Sequence, residues 1–254
     1  MIEKLRNQFF KTWYWYISLV DKNADVIFMN YGYSNNSRIY LKEEDEKNRY
    51  SIQLYHHAVS PVDITGKNIL EVGCGRGGGL SYINRYLAPD SLTGVDLNAK
   101  AIQFCKKQYK EKNINFVQGD AQRLPLETNS FDVVLNVESS HRYPQKELFF
   151  NEVYRVLKPG GYFLFTDFRD DHRIEELESQ LKKSNLCLEG KEDITENVLE
   201  ALTLATPERE NLIKKIAPKP LHNLSRKFAA TAGTPTYNKF LSRKFLYLRY
   251  VLMK

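Results

Sequence analysis

A chain of 254 residues, 42% hydrophobic and 27% charged, has ample apolar material for one large domain, or for one domain with an accessory lid. Its net charge of +6 is mild, which suits solvated surface, or attraction to an anionic membrane surface or substrate. Cys74, Cys105 and Cys187 are odd in number and lack metal-ligand spacing, so they argue against a disulfide framework or a metal site and for a reducing cytoplasm.

Met1 to Val20 holds the aromatic cluster Phe9-Phe10-Lys11-Thr12-Trp13-Tyr14-Trp15-Tyr16-Ile17. It lacks the long uncharged core and small-residue cleavage site of a secretory signal. It is also too short and too charged to span a bilayer. Two readings stay open: a helix packed over the domain's own pocket, or an interfacial helix making peripheral membrane contact. Residues 37–49 are highly charged and read as a surface loop. Residues 1–49 are thus expected to form an N-terminal helical cap, and 50–254 the main domain.

Tyr50–Val59 reads as a helix leading into the core, after which strand and helix signals alternate. Asn68–Val72 predicts strand one, Gly78–Tyr86 a helix, Leu92–Val95 strand two and Ala99–Tyr109 a helix. Ile114–Val117 and Phe131–Leu135 are strands three and four. Gln145–Leu157 is a helix, broken by Lys158-Pro159-Gly160-Gly161 ahead of strand five, Tyr162–Thr166. That alternation predicts an α/β fold with a parallel sheet and helices on both faces. Beyond it the pattern loosens, with helices at 171–181 and 196–204 and a short strand at 186–188. Residues 207–236 hold Pro207, Pro218, Pro220 and Pro235 among basic residues and read as a lid insertion. Lys244–Met253 alternates as a last strand, partnered by strand five or by 186–188.

The segment Ile69-Leu70-Glu71-Val72-Gly73-Cys74-Gly75-Arg76-Gly77-Gly78-Gly79 makes a sharp turn from strand to helix that a nucleoside-bearing cofactor can touch. Its glycine spacing also fits a dinucleotide fingerprint, with Asp96 roughly 20 residues on. Glu71 is more telling, because a carboxylate two residues before Gly73 sits badly with a pyrophosphate. It suits the cationic amino group and sulfonium of S-adenosylmethionine (SAM). Further polar residues fall at successive strand ends, where such sheets bind ligands. Asp96, with Leu97 beside it, can accept from ribose hydroxyls. Asp120 can accept from an adenine amino group, while the Ala121 N–H donates to the ring. Asn136 and Glu138 lie under the place for the cofactor's amino acid tail. Each acid taken singly also reads as a helix cap.

Glu71-x-Gly73-x-Gly75, Asp96, Asp120 and the Leu157–Gly161 turn resemble the class I SAM-dependent methyltransferases over roughly residues 50–167. Phe28-Met29-Asn30-Tyr31-Gly32-Tyr33, Val133-Val134-Leu135 and Asn136-Val137-Glu138-Ser139-Ser140-His141 look like the phthiotriol/phenolphthiotriol dimycocerosates methyltransferases and related natural-product O-methyltransferases. The resemblance implies a Rossmann-like seven-stranded sheet, with an N-terminal helical cap and a C-terminal lid. It also implies methyl transfer from SAM to a hydroxyl of a lipophilic small molecule, lipid or polyketide-like. The segment after strand four would face the transferring methyl, and Arg142 stands where such relatives carry a small residue.

An acceptor hydroxyl must lose its proton, and His141 is the candidate base. A His that only orients substrate is the alternative. Tyr31 and Tyr33 are expected to close over the cofactor or to pack among the N-terminal helices. Sterol-type C-methylation is a rival, because Tyr31, Tyr33, Glu138 and Tyr143 suit a carbocation. A SAM-binding protein without catalysis is a second alternative. Asn136-Val137-Glu138-Ser139 lacks the Pro-Pro-aromatic motif of amino-methylating DNA enzymes, so no nucleic-acid partner is expected. The expected location is cytoplasmic, with membrane contact left open by the aromatic segment.

Overall fold

The computed structural model describes residues 24–35, 37 and 39–254. The aromatic segment at 9–17 lies outside them. Helix α1 (Arg49–Val59) leads into β1 (Asn68–Val72), α2 (Gly78–Tyr86), β2 (Ser91–Asp96), α3 (Ala99–Gln108), β3 (Ile114–Gln118) and β4 (Phe131–Val137). Then follow α4 (Lys146–Val156), β5 (Leu157–Asp170), α5 (Ile174–Lys182), β6 (Cys187–Asp193), α6 (Thr195–Ile216), α7 (His222–Ala229), α8 (Pro235–Leu241) and β7 (Phe245–Met253). One seven-stranded sheet runs β3-β2-β1-β4-β5-β7-β6, parallel except for β7, which is antiparallel to both its neighbours.

The central strands are buried on both faces, as covering helices require. Alternate residues of each strand feed two cores: Ile69, Val133, Leu135 and Leu164 one, Leu70, Val134, Phe163 and Phe165 the other. Local chemistry fixes the helix starts. Asn98 caps α3 by accepting from Lys100 N and Ala101 N.

Three readings need correcting. The charged stretch read as a loop contains a 3-10 helix, Glu43–Asn48, with Asp45 buried. Asp45 accepts from the Arg85 guanidinium and from Tyr86 Oη at 2.6 Å, partners that let a carboxylate leave water. Residues 207–236 read as a lid insertion that begins at Pro207, yet Pro207 lies inside the 22-residue α6. One missing N–H is outweighed by the buried face of Val198, Leu202, Ala205 and Ile213. Most of 207–236 is therefore helical. Last, β7 does not choose between its two expected partners: it lies between them, from Tyr162↔Met253 to Asp170↔Phe245 on one side and Cys187↔Met253 to Asp193↔Leu248 on the other.

Candidate active site

The carboxyl ends of β1, β2 and β4 meet around the glycine turn. Glu71 is fully buried at the end of β1, where Tyr55 of α1 donates to its Oε1 at 2.7 Å. Its Oε2 has no hydrogen-bond partner among the described residues. Burial pushes this carboxyl up to about 8, against the lowering effect of the Tyr55 bond. The backbone then turns through Gly73 (φ 79°) and Gly75 (φ 53°). A Cβ on Gly73 would stand 2.0 Å from Ser139 Oγ, so glycine is required for space as well as for φ. Val95 O accepts from Gly73 N and Cys74 N, at 2.7 and 3.1 Å.

Asp96 closes the same ring. Its Oδ2 accepts from Gly75 N at 2.9 Å and its Oδ1 from Asn98 N at 2.8 Å. Burial raises its carboxyl, opposed by these two backbone donors. Leu97 beside it is exposed, an apolar surface at the rim. Asn136 is fully buried and donates to Val72 O at 2.7 Å, which ties the end of β4 to that of β1. Asp120 lies farther out and is exposed, accepting from Gln122 N, while Ala121 is buried. Glu71, Gly73, Gly75, Asp96 and Asn136 thus form one cluster, with Leu97, Asp120 and Ala121 at its edge.

A second cluster begins after β4. Glu138 holds a left-handed φ of 46°, unusual for a residue with a Cβ. Its Oε1 accepts from Tyr31 N at 2.6 Å and Tyr247 Oη at 2.7 Å. Burial pushes it up to about 8 despite both donors. The chain then forms a short turn, Ser140–Arg142. His141 N donates to Asp167 Oδ2 at 2.9 Å, and His141 Nδ1 lies 2.8 Å from Asp167 Oδ1. Asp167 is buried, yet Arg169 at 3.0 Å, His141 and Ser140 outweigh that burial and hold it ionised, well below the usual range. An ionised carboxylate only accepts, so Nδ1 carries the proton and Nε2 the lone pair. Arg142 Nε donates to that Nε2 at 3.1 Å. Burial lowers the imidazole to about 4, against the pull of Asp167, so the ring is neutral near pH 7. Ser139 and Tyr143, two residues to either side of His141, are the side chains that crowd Gly73, so this turn lies against the glycine turn.

The sequence singled out Tyr33 and Glu138 alongside Glu71, but the structure groups them elsewhere. Tyr33 stacks on His57 at 4.1 Å, and His57 reaches Glu192 of β6 at 3.0 Å. Glu138 belongs with Tyr31 and Tyr247. Sequence reasoning missed Asp167, Arg169, Tyr55 and Tyr247. Asp167 follows Thr166 at the end of strand five, so the strand-end rule could have found it. Tyr247 had no such signal, because it reaches Glu138 only once β7 lies beside β5.

Residues 70–165 match a methyltransferase domain. The chain is 44% identical over 227 residues to a fatty-acid O-methyltransferase of Mycolicibacterium smegmatis, covering 89% of this chain and 83% of that protein. It is 41% identical over 230 residues to a probable phthiotriol/phenolphthiotriol dimycocerosates methyltransferase of Mycobacterium ulcerans, with 89% of each covered. A geranyl diphosphate methyltransferase solved with SAM superposes with a TM-score of 0.63 at 15% identity, over 90% of this chain and 99% of that one. The chain belongs to the class I SAM-dependent methyltransferases. Its cofactor is SAM. Among the described residues, no helix is long and apolar enough to cross a membrane, and no group of three or more His, Cys, Asp or Glu is placed to hold a metal ion.

Proposed function

We propose that the chain transfers the methyl to an oxygen of a lipophilic acceptor, with His141 as the base. The observation that carries this reading is the Asp167–His141 pair beside the glycine turn. Asp167 fixes the tautomer and leaves Nε2 able to take the hydroxyl proton. Glu71 would meet the amino group of the cofactor's tail with its unpartnered Oε2. Asp96 would take the ribose hydroxyls, Asp120 and Ala121 the adenine edge, and the backbone at Gly73 and Gly75 would allow close contact. Leu97 would cover the adenine, and Asn136 would hold the β1 and β4 ends in register. When bound, the cofactor supplies an electrophilic methyl and leaves as a neutral thioether. The protein's work is to align the acceptor oxygen, to accept its proton at Nε2 and to keep water out.

For a hydroxyl to reach Nε2, Arg142 must give up its place there. Its position favours a second reading, in which the guanidinium holds an acyl carboxylate, an oxygen already without its proton. One experiment separates the two. Labelled-methyl transfer is measured for long-chain alcohols and long-chain fatty acids, with native protein and His141→Ala. If the base reading is right, alcohol methylation falls about 10²–10⁴-fold, while SAM affinity stays near native. Unchanged alcohol turnover would sink it. Methylation of acids alone, lost in Arg142→Ala and kept in His141→Ala, would establish the carboxylate reading.

A further inference from the structure

A cavity of about 470 Å³ lies next to the site, yet neither Glu71, Gly73, Asp96 nor His141 lines it. Its inner wall is the N-terminal segment. Met29 and Tyr31 line the cavity, while Met29 Cε stands 2.7 Å from the position of a Cβ on Gly75. Ile27 O presses on Gly78 in the same way. A single layer of chain therefore separates the cavity from the cofactor turn.

The opposite wall comes from α6 and α7. Ala205 and Ile213 are buried on its floor, with Leu212, Ile216 and Phe228 around them. Of the polar lining residues, Lys47, Glu208 and Asn211 are exposed and mark the mouth, while Asn30 and Ser225 are buried. Arg209 also borders the cavity, but its guanidinium donates to the backbone carbonyls of Asn30, Tyr31 and Ala229. Its polar hydrogens fasten the partition. A pocket with an apolar floor and a polar rim takes a hydrocarbon chain rather than a charged head.

Packed aromatic rings stand between this cavity and the imidazole. The Tyr31 ring lies 5.4 Å from Phe168, and Phe168 lies 4.5 Å from His141. We infer that the cavity holds the aliphatic chain of the methyl acceptor, with the Tyr31 side chain moving aside so that the acceptor oxygen reaches His141. This deepens the proposed O-methylation and rests on it for the position of the head group, but not for the binding of a chain.

The test uses two measurements. The first is methyl transfer to straight-chain acids and alcohols from butyl to octadecyl. In the native protein kcat/KM should rise about three- to fourfold per added methylene until the cavity is full, then level off. Ala205→Phe and Leu212→Trp should move that plateau to shorter chains. The second is binding of cis-parinaric acid, read by its fluorescence with no turnover required. It should bind native protein, be displaced by octadecanol, and lose at least tenfold in affinity in both variants, with SAM binding retained as the check on folding. A flat chain-length series, or a plateau unmoved in both variants, would overturn the inference. If no acid or alcohol is methylated, O-methylation fails by itself, and the chain site stands or falls on whether native protein binds the probe. Should the variants not fold, native probe binding and the native series decide it.

Discussion

Glu71 combines a carboxyl pushed up to about 8 with one oxygen that lacks a partner. At pH 7 the free protein therefore holds it largely protonated. A cationic amino group favours the carboxylate, so SAM binding should release a proton, and affinity should rise with pH up to about 8 and then level. Calorimetry in buffers of different ionisation enthalpy reads this directly. A binding enthalpy independent of buffer would refute it, and Glu71→Gln should abolish the release. Asp96→Ala should weaken SAM and its demethylated product alike by about 1.5–3 kcal/mol, because ribose hydroxyls lose a charged acceptor. Equal affinity would remove Asp96 from the site. The positions of both residues at neighbouring strand ends were legible, because the alternation places β1 and β2 side by side. Asp167 was equally reachable by the strand-end rule, but it looked like one of several acids in Thr166-Asp167-Phe168-Arg169-Asp170. Only its contacts with His141 and Arg169 separate it from Asp170. The partner of Tyr33 was not legible, because His57 of α1 meets it only once the chain has folded.

Elements with strong periodicity and clear stops emerged from the sequence nearly to the residue. Asn68–Val72 and Gly78–Tyr86 fall where the alternation puts them. The failures share one cause, which is tertiary partners overriding local propensity. The Glu43–Asn48 turn shows it best, since a run of acids reads as solvated until a cation from α2 meets it. Asp45 joins that turn to Arg85 and Tyr86, and Tyr86 Oη in turn accepts from Lys42 N. Asp45→Ala strips the Arg85 and Tyr86 bonds at once. It should lower stability by about 1–2 kcal/mol, the Arg85 side being partly solvated. Glu43→Ala, on the same turn, should stay within about 0.5 kcal/mol. Urea unfolding compares the two, and equal midpoints would show that the Asp45 cluster contributes nothing.

Across the whole molecule, two halves of the sheet do different work. The parallel half carries the cluster around the glycine turn, and the antiparallel half supplies Tyr247 and the edge. Exposed Glu189, Lys191 and Asp193 on β6 discourage pairing with another chain there. The interior place of β7 bears on how the protein is made. All seven strands must be synthesised before β5 and β6 can be joined, because β7 pairs with both and comes after them in sequence. Until then β5 presents Phe163, Leu164 and Phe165 along an open edge, and Tyr247 cannot reach Glu138. A chain stalled on the ribosome short of Phe245 should thus be cut by protease throughout α6 and bind chaperones, with protection arriving abruptly once β7 clears the exit tunnel. Gradual protection as each earlier strand emerged would contradict this order. The proposed site is then a late product of translation: the strand that completes the sheet also delivers the hydroxyl that holds Glu138, so a nascent chain has no finished cluster after β4.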